Sequence, residues 1–194
     1  MEAWRERLTS LDDSQQEMLL GSSLSQRFAA WPLIISQPAI VGAFYGCLVT
    51  IALILPIGYH NEWNLEAWFN EASFRGLSVA LGLAIAGQFS AIVAKILPRP
   101  PIAPPRVLIY TMPFVGFAIL LGNWMGIAVA IPEMLAWILM LASGPIYVHL
   151  SWAPRHRMLT MLEDGRDPFG PANFQIEQIE MEQELEDAVN ALDE

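Results

Sequence analysis

Apolar residues run along this chain in blocks too long for a strand and too continuous for one face of a surface helix. Four such blocks stand out, at roughly 38–58, 76–97, 107–130 and 132–152. A helix that crosses a bilayer needs about 20 predominantly apolar residues, and each block reaches that length. The last two are separated only by Ile131, Pro132 and Glu133, and together they are too long for one span. A tight helical hairpin is predicted there. Proline is tolerated in a first helical turn, and Glu133 beside it complements the helix dipole.

The fold class that follows is an all-α integral membrane protein with four transmembrane helices, an N-terminal amphipathic helix and an acidic C-terminal helix. Residues 1–37 form an interfacial N-terminal segment, 38–152 the membrane domain, and 153–194 an acidic tail with a helix over 173–192. Composition agrees: 54% of residues are hydrophobic and 15% charged, where a soluble domain carries about a quarter charged. The polar N-terminus lacks the basic-then-apolar order of a secretory signal, so the first span is expected to direct insertion.

Charge orients the spans. Lys and Arg favour the cytoplasmic ends. Arg5, Arg7 and Arg27 precede the first span, Lys95, Arg99 and Arg106 flank the second connection, and Arg155, Arg157 and Arg166 follow the fourth span. The first connection holds only Arg75 and the third none. Both termini and the second connection are therefore predicted to be cytoplasmic. That connection reads LPRPPIAPPR, and its prolines predict a stiff, polyproline-like strut at the inner surface. Docking of a partner's aromatic groove competes with this simpler spacing role. In the outer connection, Leu65, Trp68, Phe69 and Ala72 predict a short interfacial helix over 64–73.

Small residues at four-residue spacing mark lines where helices approach closely. Gly42 and Gly46 lie on the first span, and Ala118, Gly122, Gly126 and Ala130 form a continuous stripe on the third. The stripe fits packing within the bundle or against another subunit. Polar residues inside spans are the first place to seek chemistry. Gln88, Asn123, Glu133 and His149 are the candidates, with Gln88 and Asn123 suited to interhelical hydrogen bonds. Glu133 and His149 stand sixteen residues apart, roughly 24 Å along a helix, too far for one acid–base pair. No catalytic, nucleotide-binding or metal-ligand motif occurs, and no motif indicates a cofactor. The single cysteine, Cys47, excludes an intrachain disulfide and is expected to pack as a small hydrophobe. Ser10 to Asp13 predict the start of an N-terminal helix, with Trp4, Leu8, Leu11, Met18 and Leu19 giving it an apolar face.

The net charge of −10 is a property of the tail: residues 163–194 hold eleven acids against Arg166. Such a tail repels nucleic acid, so no nucleic-acid partner is indicated. Phe174, Met181, Leu185 and Leu192 recur at helical spacing among these acids and predict a docking helix for a basic cytoplasmic partner, with a solvated disordered tail and a helix folded on the chain's own cytoplasmic face as the competing readings.

The plan is similar to that of small membrane subunits of multicomponent transporters, in architecture alone. The expected function is a non-catalytic membrane subunit that contacts the lipid bilayer, assembles with other membrane subunits and docks a cytoplasmic protein through its tail. The alternatives are a transporter or channel component, and a subunit positioning a haem, quinone or pigment. Scarce lysine points to a bacterial inner membrane.

Overall fold

A computed structural model describes residues 3–127 and 131–170, and every regular element among them is helical. Three short helices, α1 (Ala3–Leu8), α2 (Asp13–Leu20) and α3 (Ser23–Ala29), precede α4 (Pro38–His60) and α5 (Leu65–Ile96). The third long helix is α6 (Arg106–Tyr110) continued by α7 (Met112–Trp124). The fourth is α8 (Glu133–Tyr147), a π-helical segment (Val148–Trp152) and α9 (Ala153–Glu163). Four helices are long and apolar enough to cross a membrane, with mean hydropathies of 2.3, 1.9, 1.6 and 1.5. Large apolar side chains such as Ile51, Leu55, Leu77, Ile85 and Phe89 face outward along them. An apolar surface that extensive fits contact with lipid. Cys47 is also exposed, contrary to its expected place in the packing.

Two boundaries differ from expectation. The aromatic outer segment is not a separate helix but the first turns of α5. Asn64 caps it by accepting from the Ala67 amide at 3.1 Å, and no proline interrupts the run that follows. Of its expected apolar face, Trp68 and Ala72 turn inward while Leu65 and Phe69 remain exposed. The fourth helix does not end at Trp152 either. It continues to Glu163, so 153–163 is packed structure continuous with the span. The predicted tail helix over 173–192 lies outside the described residues.

Glycine sets the closeness of α4 and α5. A Cβ placed on Gly46 would lie 2.6 Å from the Ala80 Cα, and one on Gly42 would run into the Leu83 carbonyl. Gly87 likewise meets the Pro38 carbonyl. Gly42 and Gly46 therefore pack within the chain, backbone against backbone. On the other hairpin, Gly116 of α7 lies against Ala136 and Met140 of α8. Leu120, Ala136 and Met140 join Val49, Leu53 and Ile57 of α4 in one buried cluster. The Tyr45 hydroxyl adds a polar tie, donating to the Met140 carbonyl at 2.7 Å.

At one end of the bundle, α1 and α2 fold onto α9, and α3 packs through Phe28 on Tyr147 and Trp152 just before it. We call this the capped end. Trp4, Leu19, Phe28, Trp152, Met158 and Leu159 form its core. The sequence pattern predicts one helix here; the structure has three, because Asp12 and Ser22 open new turns. Asp12, not Ser10, is the cap of α2, accepting from the Gln15 amide at 2.8 Å. Arginines satisfy the helix ends, whose last carbonyls lack intrahelical partners. Arg7 donates to the Leu162 and Glu163 carbonyls of α9, Arg5 to those of Ala29 and Ala30 at the end of α3. The Trp152 indole and the His156 ring hold the approach to α4, through the carbonyls of Ser36 at 2.7 Å and Leu33 at 2.9 Å.

Candidate functional site

The four polar candidates of the spans do not converge. Asn123 and Glu133 sit at the α7–α8 hairpin. Asn123 donates to the Ile131 carbonyl at 3.0 Å, fastening the turn, and Glu133 accepts from the Trp137 indole at 3.1 Å within its own helix. Gln88 and His149 belong to the capped end. His149 lies 3.3 Å from the Ser90 hydroxyl of α5, and its carbonyl accepts from Arg99 at 2.9 Å. His149 thus joins the fourth helix to α5 and to the proline loop. Gln88 was expected to bond between helices, yet it is exposed and makes no hydrogen bond among the described residues. The reason is its position: it faces the open side of α5, toward a cleft, while Ser90 two residues on faces the bundle.

Among the described residues, the small-residue stripe of the third helix does not make its contact with the bundle. Gly116 and Leu120 make the contact with α8, whereas Ala118 and Gly126 are exposed and Gly122 is half-buried. Gly126 has φ of +72° and ends the helix, so it serves the turn rather than the stripe. Ala130 lies outside the described residues, as do Phe174, Met181, Leu185 and Leu192 of the tail.

Three hollows mark the capped half of the molecule. A basic cleft of about 500 Å³ lies between the ends of α4, α5 and α9, lined by Gln88, Lys95, His156, Arg157 and Arg166. Arg166 already pairs with Asp164 at 2.6 Å. On another side, a polar cavity of about 670 Å³ lies under the proline loop, lined by Ser22, Ser23, Arg106, Ser151 and Arg155, with Glu17 beside them. An apolar groove of about 280 Å³ is lined by Phe28, Phe44, Leu48, Phe114 and Val148. Leu24, Ile109, Tyr110 and Tyr147 border both the polar cavity and the groove.

Arg155 is the residue that sequence reasoning misplaced. The run Arg155, His156, Arg157 reads as a headgroup cluster, but Arg155 is only 4% exposed. Its Nε donates to the Met18 carbonyl at 3.1 Å and its Nη1 to the carbonyl and hydroxyl of Ser151. Gly21, at φ +61°, lets the guanidinium lie against the backbone; a Cβ there would come within 2.5 Å of its Cζ. The burial is supplied by α2 and α3, a long-range packing that no local pattern announces. Beside it, the Ser25 and Tyr147 hydroxyls are hydrogen-bonded at 3.0 Å. No protein-family model matches this chain, and no curated protein or solved structure matches it either.

Proposed function

We propose that this chain is a non-catalytic subunit of a multisubunit membrane complex, with the capped end and both termini on the cytoplasmic side of a bacterial inner membrane. One observation carries the assembly reading: the third helix uses Gly116 and Leu120 against its own bundle and turns Ala118 outward, with Gly122 at the edge. Small residues gain nothing from facing lipid, but they let a second helix approach closely. The occupant of that face is a transmembrane helix of another subunit. The orientation rests on the basic residues gathered at the capped end, and the acidic tail beyond residue 170 supplies a docking segment for a cytoplasmic protein.

Extraction in a mild detergent followed by mass analysis tests this. The expected result is a complex larger than the 21.6 kDa chain. Ala118→Leu combined with Gly122→Leu should release the partners while leaving the chain folded. A single wild-type species of monomer mass overturns the proposal.

A further inference from the structure

The polar cavity and the apolar groove are two limbs of one amphipathic site. Leu24, Ile109, Tyr110 and Tyr147 form their common border, so the limbs are adjacent along the third and fourth helices. The polar limb begins at Arg106, and the apolar limb reaches Phe114. Eight residues of helix cover roughly 12 Å, and one leaflet of hydrocarbon is about 15 Å deep. The site therefore runs from the level of the headgroups into a single leaflet.

Arg155 says what belongs in the polar limb. It is almost wholly buried, and among the described residues no carboxylate pairs with it and no acceptor takes its Nη2. A buried cation without a counter-ion is costly, and it stabilises an anion delivered beside it. Arg106, at the mouth of the same cavity, is exposed and makes no ion pair among the described residues. Hydroxyls of Ser22, Ser23 and Ser151 line the same space. Glu17 is the one acid on its wall, exposed and without an ion pair among the described residues.

We propose that this site holds one anionic, single-phosphate lipid drawn from the leaflet at the capped end. Its phosphate rests on Arg155 and Arg106, and one acyl chain lies in the groove lined by Phe44, Leu48 and Phe114. The basic cleft on the α5 side is the weaker place for such a molecule. It shares no lining residue with the apolar groove, and Arg166 there is already neutralised by Asp164. The inference goes beyond the assembly reading and does not depend on it.

The full chain, purified in a neutral detergent, is titrated with dioctanoyl phosphatidic acid, dioctanoyl phosphatidylcholine and inorganic phosphate, with native mass spectrometry as the readout. One molecule of phosphatidic acid is expected to bind in preference to both others. Arg106→Gln should weaken it about fivefold, the order expected for one basic residue near an anionic headgroup, and Glu17→Gln should tighten it. Ile109→Trp, which fills the border between the limbs, should weaken phosphatidic acid further. Arg155→Gln is the direct variant; if it fails to fold, Arg106→Gln and Ile109→Trp still decide the matter. Equal binding of phosphatidylcholine, or of inorganic phosphate, overturns the proposal. So does loss of binding in Arg157→Gln with none in Arg106→Gln, which would move the site to the other cleft.

Discussion

The amide of Ile102 donates to the carbonyl of Leu150 at 2.8 Å, and a proline makes this possible. Residue 154 would normally return its amide to that carbonyl, four residues back, but Pro154 has none. The π-helical register just before it sends the Ala153 amide to Val148, which leaves the His149 carbonyl open as well. Arg99 takes that one at 2.9 Å. Two carbonyls, one freed by the proline and one by the π-helical register, thus seat the proline-rich loop on the fourth helix. The loop is a strut held at a defined place.

Pro154→Ala restores the missing amide and lets the helix reclaim the Leu150 carbonyl. We expect the Ile102 amide to lose its protection from hydrogen exchange, and the loop to lose about 1 kcal/mol of local stability, the usual net worth of one hydrogen bond. Unchanged protection at Ile102 would mean that the loop is held by other contacts.

Glycines of α4 and α5 that look alike in sequence should respond oppositely. Gly46→Val pushes side-chain atoms into the Ala80 backbone, which cannot retreat as a side chain can. Overpacking of this kind costs about 1–3 kcal/mol. Gly82→Ala meets nothing within 4 Å and gains helix propensity, about 0.5–1 kcal/mol. Thermal unfolding in detergent distinguishes them: the first variant should melt lower than the parent and the second no lower. A Gly46→Val protein as stable as the parent would show that the hairpin is looser than the geometry says.

These contrasts mark what sequence can carry. The spans were legible because a bilayer imposes length and hydropathy on each helix separately, so a local pattern suffices. The spacing of Gly42 and Gly46 is a local pattern too, but that these glycines meet Leu83 and Ala80 of α5 is visible only in the packed chain. The stripe at Ala118 was legible as a line but not as a direction, since only the packed bundle shows that Gly116 and Leu120 take the inner face. Arg155 was read as a headgroup residue because its neighbours in sequence are basic and its neighbours in space are the carbonyl of Met18 and the α-carbon of Gly21, far back in the chain. The continuation of the fourth helix past Pro154 was hidden too, because a proline in a helix reads as a stop unless the carbonyls it frees find donors elsewhere.

Opposite the capped end, Arg75 ties the two hairpins together. It pairs with Glu71 of its own helix at 2.5 Å, and its guanidinium stands 5.3 Å from the Trp124 ring and 5.9 Å from the Trp137 ring. Cation–π contacts contribute about 0.5–1 kcal/mol when exposed and about 2 when desolvated. Arg75→Gln should therefore lower stability by about 1 kcal/mol. A double-mutant cycle with Trp124→Leu should return a coupling of about the same size. Strict additivity would show that the ring and the cation are merely neighbours.

Asp12 offers a pH test away from the membrane. Its carboxylate accepts from the Gln15 amide at 2.8 Å and from the Ser14 hydroxyl at 2.7 Å. These bonds, the Gln15 amide foremost, hold its pKa below the ordinary 3.8. Hydrogen bonds to the charged form favour it. Because the folded value is the lower one, the cap contributes fully above the unfolded value and is lost as pH falls through the folded value. Protection of the first turn of α2 should therefore stay level from neutral pH to about 4 and decline below that. Asp12→Asn retains a side-chain acceptor but does not titrate. In that variant the decline should vanish while protection at neutral pH changes little. If the acid-induced loss persists in Asp12→Asn, another carboxylate governs the opening of α2, and the cap is not what starts this helix.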